Sequence, residues 1–124
     1  MDHGLPPANE QRVLIVDDQP ELLDVMAMAF ERAGRRVVAC RTFEDARARL
    51  LSEEFHVLVT DVRLGAFNGL QLAVIARAKA PDMRIVVFSG FDDPVLRDEA
   101  ANLGAKYVVK PVTAEHLLQL IAAL

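Results

Sequence analysis

The chain predicts an α/β fold of five βα units: a parallel five-stranded sheet of order 2-1-3-4-5, doubly wound by helices on both faces. Three observations carry this. Short runs rich in Val and Ile, apolar on both faces, recur along the chain: Val13-Leu14-Ile15-Val16, Val57-Leu58-Val59, Ile85-Val86-Val87-Phe88 and Tyr107-Val108-Val109. Such runs read as buried strands of a parallel sheet. Each is followed by a helical pattern, and repeated βα units imply right-handed crossovers that cover both faces. The length of 124 residues, 52% hydrophobic and 26% charged, fits one folded domain with a real core rather than a disordered segment.

Residues 1–11 (MDHGLPPANEQ) are polar, with Gly4, Pro6 and Pro7, and read as a flexible leader. The domain is expected over 12–124. Strand one is read at 12–16. Helix one follows over 20–33, with Leu22, Met26, Ala29, Phe30 and Ala33 on one face and Gly34 ending it. Strand two is read at 36–40, and helix two runs from the N-cap Thr42 to Leu51. Strand three is 57–60. A loop with Gly65, Asn68 and Gly69 leads to helix three, 70–80, which stops before Pro81. Strand four is 84–88, helix four 94–103 with Gly104 closing it, strand five 106–109, and helix five begins after Thr113.

Composition excludes several classes of function. No apolar stretch approaches the roughly 18–20 residues of a membrane span, so no membrane insertion is expected. Met1 to Gln11 contains no apolar core of a secretory signal. The net charge of -4, with no basic block, argues against direct nucleic-acid binding. The one cysteine, Cys40, excludes an internal disulfide and reads as a small buried hydrophobe, which fits a cytoplasmic protein. His3, His56 and His116 show no metal-ligand spacing.

The polar residues that end the strands point to chemistry. In open α/β sheets the binding crevice lies at the carboxyl ends of the strands. There the chain places Asp17 and Asp18, Asp61, Ser89 and Lys110. Singly, each has an ordinary explanation: a helix cap, a turn before Gly90, a Lys-Pro loop. Together they form a constellation. Three carboxylates repel one another, and one tends to hold a proton. A hard divalent cation such as Mg²⁺ (or Mn²⁺) relieves this and suits oxygen ligands beside a phosphate. A free carboxylate in that setting can attack phosphorus to give an acyl phosphate, with metal and lysine offsetting charge on the phosphoryl oxygens.

The pieces VLIVDDQPE, LVTDVRL with FNGL following, VVFSG and GAKYVVKP occur in this order. Over 12–124 the chain thereby resembles the CheY-like receiver domains of two-component response regulators, which have a flavodoxin-like fold. The resemblance implies a phosphoacceptor that catalyses its own phosphorylation and dephosphorylation, rather than a turnover enzyme. Asp61 would be the phospho-accepting aspartate. Asp17 and Asp18 would bind Mg²⁺ with it, the backbone carbonyl of Arg63 being a further ligand. Ser89 would move to the phosphoryl group, Lys110 would pair with it, and the Lys110–Pro111 peptide would be cis. Tyr107 matches the aromatic switch residue: as Ser89 moves, Tyr107 turns inward and alters the face of helix four, strand five and helix five. The implied donor is a sensor histidine kinase or a histidine phosphotransfer domain, and the switching face is a candidate homodimer surface.

The chain departs from the family pattern in places. The loop after Asp61 has Gly65-Ala66 where Pro-Gly is common, which predicts a freer loop. Val112 stands where an aromatic is frequent. Arg63 and Phe91, two residues past Asp61 and Ser89, are expected to pair with the phosphoryl group and to screen it from water. Helix five carries Leu117, Leu118, Leu120, Ile121 and Leu124, more apolar surface than a core face alone requires. Three other readings are weaker. A haloacid-dehalogenase-type phosphohydrolase needs a D-x-D pattern, but the first strand is followed by Asp17-Asp18-Gln19-Pro20. A nucleotide-binding relative needs glycines in the first βα turn, which is DDQPE. A receiver-like module that binds without phosphorylation has no need of the complete acidic set, Ser89 and Lys110.

Overall fold

In the computed structural model, which describes residues 6–123, the apolar runs form five parallel strands. These are β1 (Arg12–Val16), β2 (Arg36–Cys40), β3 (Val57–Asp61), β4 (Arg84–Ser89) and β5 (Lys106–Val109). Their order is β2-β1-β3-β4-β5, the expected 2-1-3-4-5. Register places Val13 beside both Val37 and Val57, Asp61 beside Phe88, and Ser89 beside Val109. The ends of β1, β3, β4 and β5 thus meet along one edge.

Side-chain alternation along each strand builds two cores. Val13, Ile15, Val57, Val59, Val86, Phe88 and Val108 pack against α1 (Pro20–Arg32) and α5 (Ala114–Ala123). Leu14, Val16, Leu58, Ile85, Val87 and Tyr107 face α2 (Phe43–Ser52), α3 (Gly69–Lys79) and α4 (Pro94–Asn102). From α1 the buried residues are Leu23, Met26 and Phe30. Met26 and Phe30 lie on the expected face, but Leu23 is buried in place of Leu22, which like Ala29 is only half-buried, and Ala33 is exposed. Cys40 is buried, as expected. Leu117 and Ile121 of α5 enter the core, while Leu118 and Leu120 are partly covered. His3 and Leu124 lie outside the described residues.

Helix starts follow local chemistry. Thr42 Oγ1 accepts from the Asp45 amide at 3.2 Å, and Asp93 Oδ1 accepts from Val95 and Leu96. Asn68 and Gln71 form a reciprocal capping box on α3. Each such cap contributes about 1 kcal/mol. Gly34, at φ +89°, takes the left-handed conformation that ends α1.

Two segments differ in detail from the sequence reading. Of the leader, Ala8–Glu10 form a 3-10 turn and Gln11 is buried. Gln11 Oε1 accepts from Arg35 Nε at 2.9 Å, and its amide donates to the Pro6 carbonyl. Backbone and side chain of Gln11 thereby tie this segment to the entry of β2. The loop after Asp61, expected to be freer, is a hairpin: Arg63–Leu64 pairs antiparallel with Phe67–Asn68 around Gly65 at φ +63°. The Phe67 ring stacks on Phe43 at 4.5 Å. Glycine supplies the turn and the aromatic pair packs beside it, so the segment forms a hairpin without the proline.

Candidate functional site

Three carboxylates converge where β1 and β3 end. Asp17, Asp18 and Asp61 each offer an oxygen, and these oxygens lie within 4.8 Å of one another. Asp17 is fully buried, Asp61 is nearly so, and Asp18 is exposed. The loop after β1 is set by Asp17 itself, whose Oδ1 accepts from the Gln19 amide at 2.8 Å. This holds the turn into α1, while Gln19, not either aspartate, occupies the helix N-cap.

Lys110 comes from the end of β5. Its Nζ donates to Asp61 Oδ2 at 3.1 Å and lies 3.9 Å from Asp17 Oδ2, too far for a hydrogen bond. It also sits 5.1 Å from the Phe88 ring centroid. The Lys110 amide donates to the Ser89 carbonyl at 2.7 Å, and the Lys110–Pro111 peptide is cis. Asp61 Oδ1 accepts from the Arg63 amide at 3.3 Å, while Thr60 Oγ1 donates to the Asp61 carbonyl. Ser89 is buried, and its Oγ accepts from the Phe91 amide at 3.2 Å.

Arg63 and Phe91 meet above this floor. The guanidinium carbon is 5.1 Å from the Phe91 centroid, and Phe91 is 62% exposed. Arg63, Ser89 and Phe91 line an open cleft of about 540 Å³ together with Val62, Asp92 and Leu96. Tyr107 lies inward: it is buried, and its hydroxyl donates to the Phe91 carbonyl at 2.7 Å.

Two contributors had no role assigned to them from the sequence. Gly69 packs onto the Asp61 backbone, where a Cβ would come within 2.0 Å of the Asp61 carbonyl oxygen. Its place after a hairpin and at a helix start is the available signal, but glycine there reads as ordinary loop chemistry. Arg97 lies over the Tyr107 ring at 4.8 Å. No periodicity marks that contact, because it joins α4 to β5.

Burial dominates the electrostatics. It is the largest cause raising both Asp17 and Asp61 above the ordinary value of 3.8. For Asp17 the Gln19 hydrogen bond opposes it, and the Asp61 charge adds to it. For Asp61 the Lys110 charge and hydrogen bond oppose it. Asp17 Oδ2 is buried without a hydrogen-bond partner. Such an orphaned carboxylate oxygen beside two further acid oxygens fits a hard cation.

The folded state therefore holds these protons more tightly than the unfolded chain. The ionisation penalty is absent below the ordinary aspartate value, grows as pH rises through the raised values, and is complete above them. Asp17→Asn keeps the acceptor for Gln19 but removes the charge. In chelator near neutral pH it is expected to melt roughly 2–5 °C above wild type. That gap closes at acid pH, and Mg²⁺ stabilises the variant less than wild type. Thermal melts across pH, with and without chelator, check this. A variant that melts below wild type under chelation contradicts it.

A buried acid cluster, an adjacent lysine and a serine on the neighbouring strand stand together at the switch-point edge of a 2-1-3-4-5 sheet, the arrangement of a receiver-type signalling module. Residues 13–122 match the response regulator receiver domain family, and the chain belongs to it. A CheY-like receiver domain protein from Methanospirillum hungatei is 29% identical with a TM-score of 0.86, the match covering 91% of each chain. A response regulator from Burkholderia pseudomallei, solved with a phosphorylated aspartic acid, calcium and citrate, is 27% identical with a TM-score of 0.84, over 90% of this chain and 66% of that one. The receiver protein CpdR of Brucella abortus is 31% identical over 90% of this chain and 91% of its own length. The beryllofluoride-activated NtrC4 receiver, a dimer in solution, is 25% identical with a TM-score of 0.81, over 90% of this chain and 93% of that one.

The chain spans 30%, 25% and 24% of three longer transcriptional regulators that it also matches. As a receiver domain it is a signalling module rather than a turnover enzyme, and the phosphohydrolase alternative falls away. Among the described residues no helix is long and apolar enough to cross a membrane.

Proposed function

We propose that Asp61 accepts a phosphoryl group from a phosphohistidine on a sensor kinase or a histidine phosphotransfer domain. The observation that carries this is the placing of Asp61 Oδ2 against Lys110 Nζ at 3.1 Å, beside the unpartnered Asp17 Oδ2. In the transfer an Asp61 carboxylate oxygen forms the new O–P bond. The N–P bond of the donor breaks, and its electron pair stays on the imidazole nitrogen. Asp17, Asp18, Asp61 and the Arg63 carbonyl would hold Mg²⁺ or Mn²⁺, which when bound offsets charge on the phosphoryl oxygens. Lys110 pairs with one of those oxygens, and the Ser89 hydroxyl turns from the Phe91 amide to donate to another. The calcium ion and phosphorylated aspartic acid of the Burkholderia relative support this reading by analogy.

The functional unit on this reading is 12–124, preceded by the 1–11 segment, and it acts in the cytoplasm. Ser89 and Tyr107 form the switch, and its output is the face of α4, β5 and α5. That face is the proposed homodimer surface, in keeping with the dimeric NtrC4 receiver. The phosphoryl group acts by favouring one of two existing arrangements.

A beryllofluoride titration followed by amide NMR tests the site. With Mg²⁺, resonances of Asp61, Ser89 and Lys110 are expected to shift. With chelator, or in Asp61→Asn, they stay in place. Unmoved wild-type resonances in Mg²⁺ would favour a module that binds partners without phosphorylation.

Arg63 and Phe91 lie over the cleft as a stacked pair, so they are placed to limit water access to an acyl phosphate. Phe91→Glu and Arg63→Asn are expected to change the dephosphorylation rate about tenfold, readable by the decay of the phosphorylated mass. Decay rates equal to wild type in both variants would show that the pair does not screen the site.

A further inference from the structure

The loop from Ser89 to Asp93 is linked to Tyr107 through two contacts, not one. The Phe91 carbonyl accepts the Tyr107 hydroxyl at 2.7 Å. Asp92 Oδ1 accepts from Arg97 Nε at 3.1 Å and from Nη2 at 2.8 Å, and the guanidinium so held lies 4.8 Å from the Tyr107 ring centroid. Arg97 reaches the ring from α4, across the same loop that carries Ser89. The guanidinium is planar and weakly hydrated, and it stacks on an aromatic face while its edge donates to a carboxylate. One side chain thus closes the ring in on one side while the Phe91 carbonyl fixes its tip.

We propose that Arg97, oriented by Asp92, is a positioning residue for the Tyr107 switch. It covers the ring and favours the inward, hydrogen-bonded position over the outward one. The inference rests on the reading of Tyr107 as the switch residue given above. None of these contacts involves Asp61, Asp17, Asp18 or Lys110, so none of them needs a phosphoryl group on Asp61 in order to form. The pair therefore sets the resting balance of the switch, and phosphorylation acts on a balance already tilted inward. A ligand that prefers the inward state binds more tightly when that state is more populated. Arg97 is expected to raise the affinity for a phosphoryl analogue without touching it.

Tyr107 is the chain's one tyrosine, and there is no tryptophan. Fluorotyrosine incorporation therefore gives a single ¹⁹F resonance that reports this ring alone. In full-length protein without an activator, Arg97→Ala is expected to move that resonance toward the position of free fluorotyrosine, the inward-to-outward ratio falling about fivefold. Asp92→Asn shifts it in the same direction. Arg97→Lys, which keeps the cation but loses the two-pronged hold, falls between wild type and Arg97→Ala. Arg97 is 46% exposed, so melting temperatures stay near wild type, and a resonance shift at unchanged stability separates positioning from folding. A ¹⁹F resonance in Arg97→Ala that coincides with wild type overturns the proposal.

Beryllofluoride with Mg²⁺ supplies the second arm. It is expected to return the Arg97→Ala resonance to the wild-type position, with an apparent affinity weakened by up to about threefold. If beryllofluoride moves nothing in wild type or variant, the receiver reading of the acidic site fails. The activator-free comparison of Arg97→Ala with wild type still decides the role of Arg97.

Discussion

Lys110→Ala is expected to slow formation of the Asp61 acyl phosphate by roughly 10²–10³-fold, the range seen when one preorganised charge-stabilising donor is removed. The ammonium lies 3.1 Å from Asp61 Oδ2, held at the end of β5 and over the Phe88 ring. It is thus in place before charge builds on the transferring group. Its removal has a second consequence. Lys110 is the largest influence lowering Asp61, against the burial that raises it. Without the lysine, Asp61 titrates higher still, and less of it is the nucleophilic carboxylate at a given pH. The rate-against-pH profile should therefore move to higher pH as well as drop. A time course of intact mass with acetyl phosphate, run across pH, reads both effects. A variant within threefold of the wild-type rate would remove Lys110 from the chemistry.

Gly69→Ala is expected to destabilise the fold by about 3 kcal/mol, the upper range for overpacking a tight site. The added Cβ would sit 2.0 Å from the Asp61 carbonyl oxygen and 2.9 Å from Thr60 Oγ1. Backbone is the obstacle, so no side-chain rotation relieves the clash. The Gly69 amide also donates to the Val62 carbonyl at 2.6 Å, which fixes the distance between α3 and the end of β3. Any relief must move α3 away or push Asp61 out of place. Gly90→Ala is the control, because a Cβ there meets nothing within 4 Å. Chemical denaturation should show a large loss for the first and a near-neutral effect for the second. Equal midpoints for the two variants would mean that α3 gives way at little cost.

Most of the fold was legible because its strands carry two-sided apolar runs, a pattern that solvent-facing strands do not show. The Thr42 cap was legible for a different reason: capping is local chemistry. On α1 the burial of Met26 and Phe30 was legible, and that of Leu23 rather than Leu22 was not. Leu22 and Leu23 are adjacent and equally apolar, so periodicity alone does not choose between them, and packing against β1 and α5 does. The hairpin after Asp61 was hidden because its order comes from Phe67 stacking on Phe43, 24 positions earlier in the chain.

The acidic floor of the site was legible for a topological reason. Strand ends on neighbouring parallel strands must meet, so Asp17, Asp61, Ser89 and Lys110 were bound to converge once the strand order was right. The contacts above that floor were not. Arg97 on Tyr107 and Arg63 on Phe91 depend on side chains reaching across loops, a distance that strand order does not set. The inward position of Tyr107 likewise depends in part on the Phe91 carbonyl, a backbone group that no residue type announces.

The most direct measurement is intact mass after incubation with acetyl phosphate, with Mg²⁺ or with chelator, on wild type and Asp61→Asn. One added phosphoryl group is expected on wild type in Mg²⁺, none in chelator and none on Asp61→Asn. An adduct of the same size and yield on Asp61→Asn, or one that forms equally well in chelator, would contradict it.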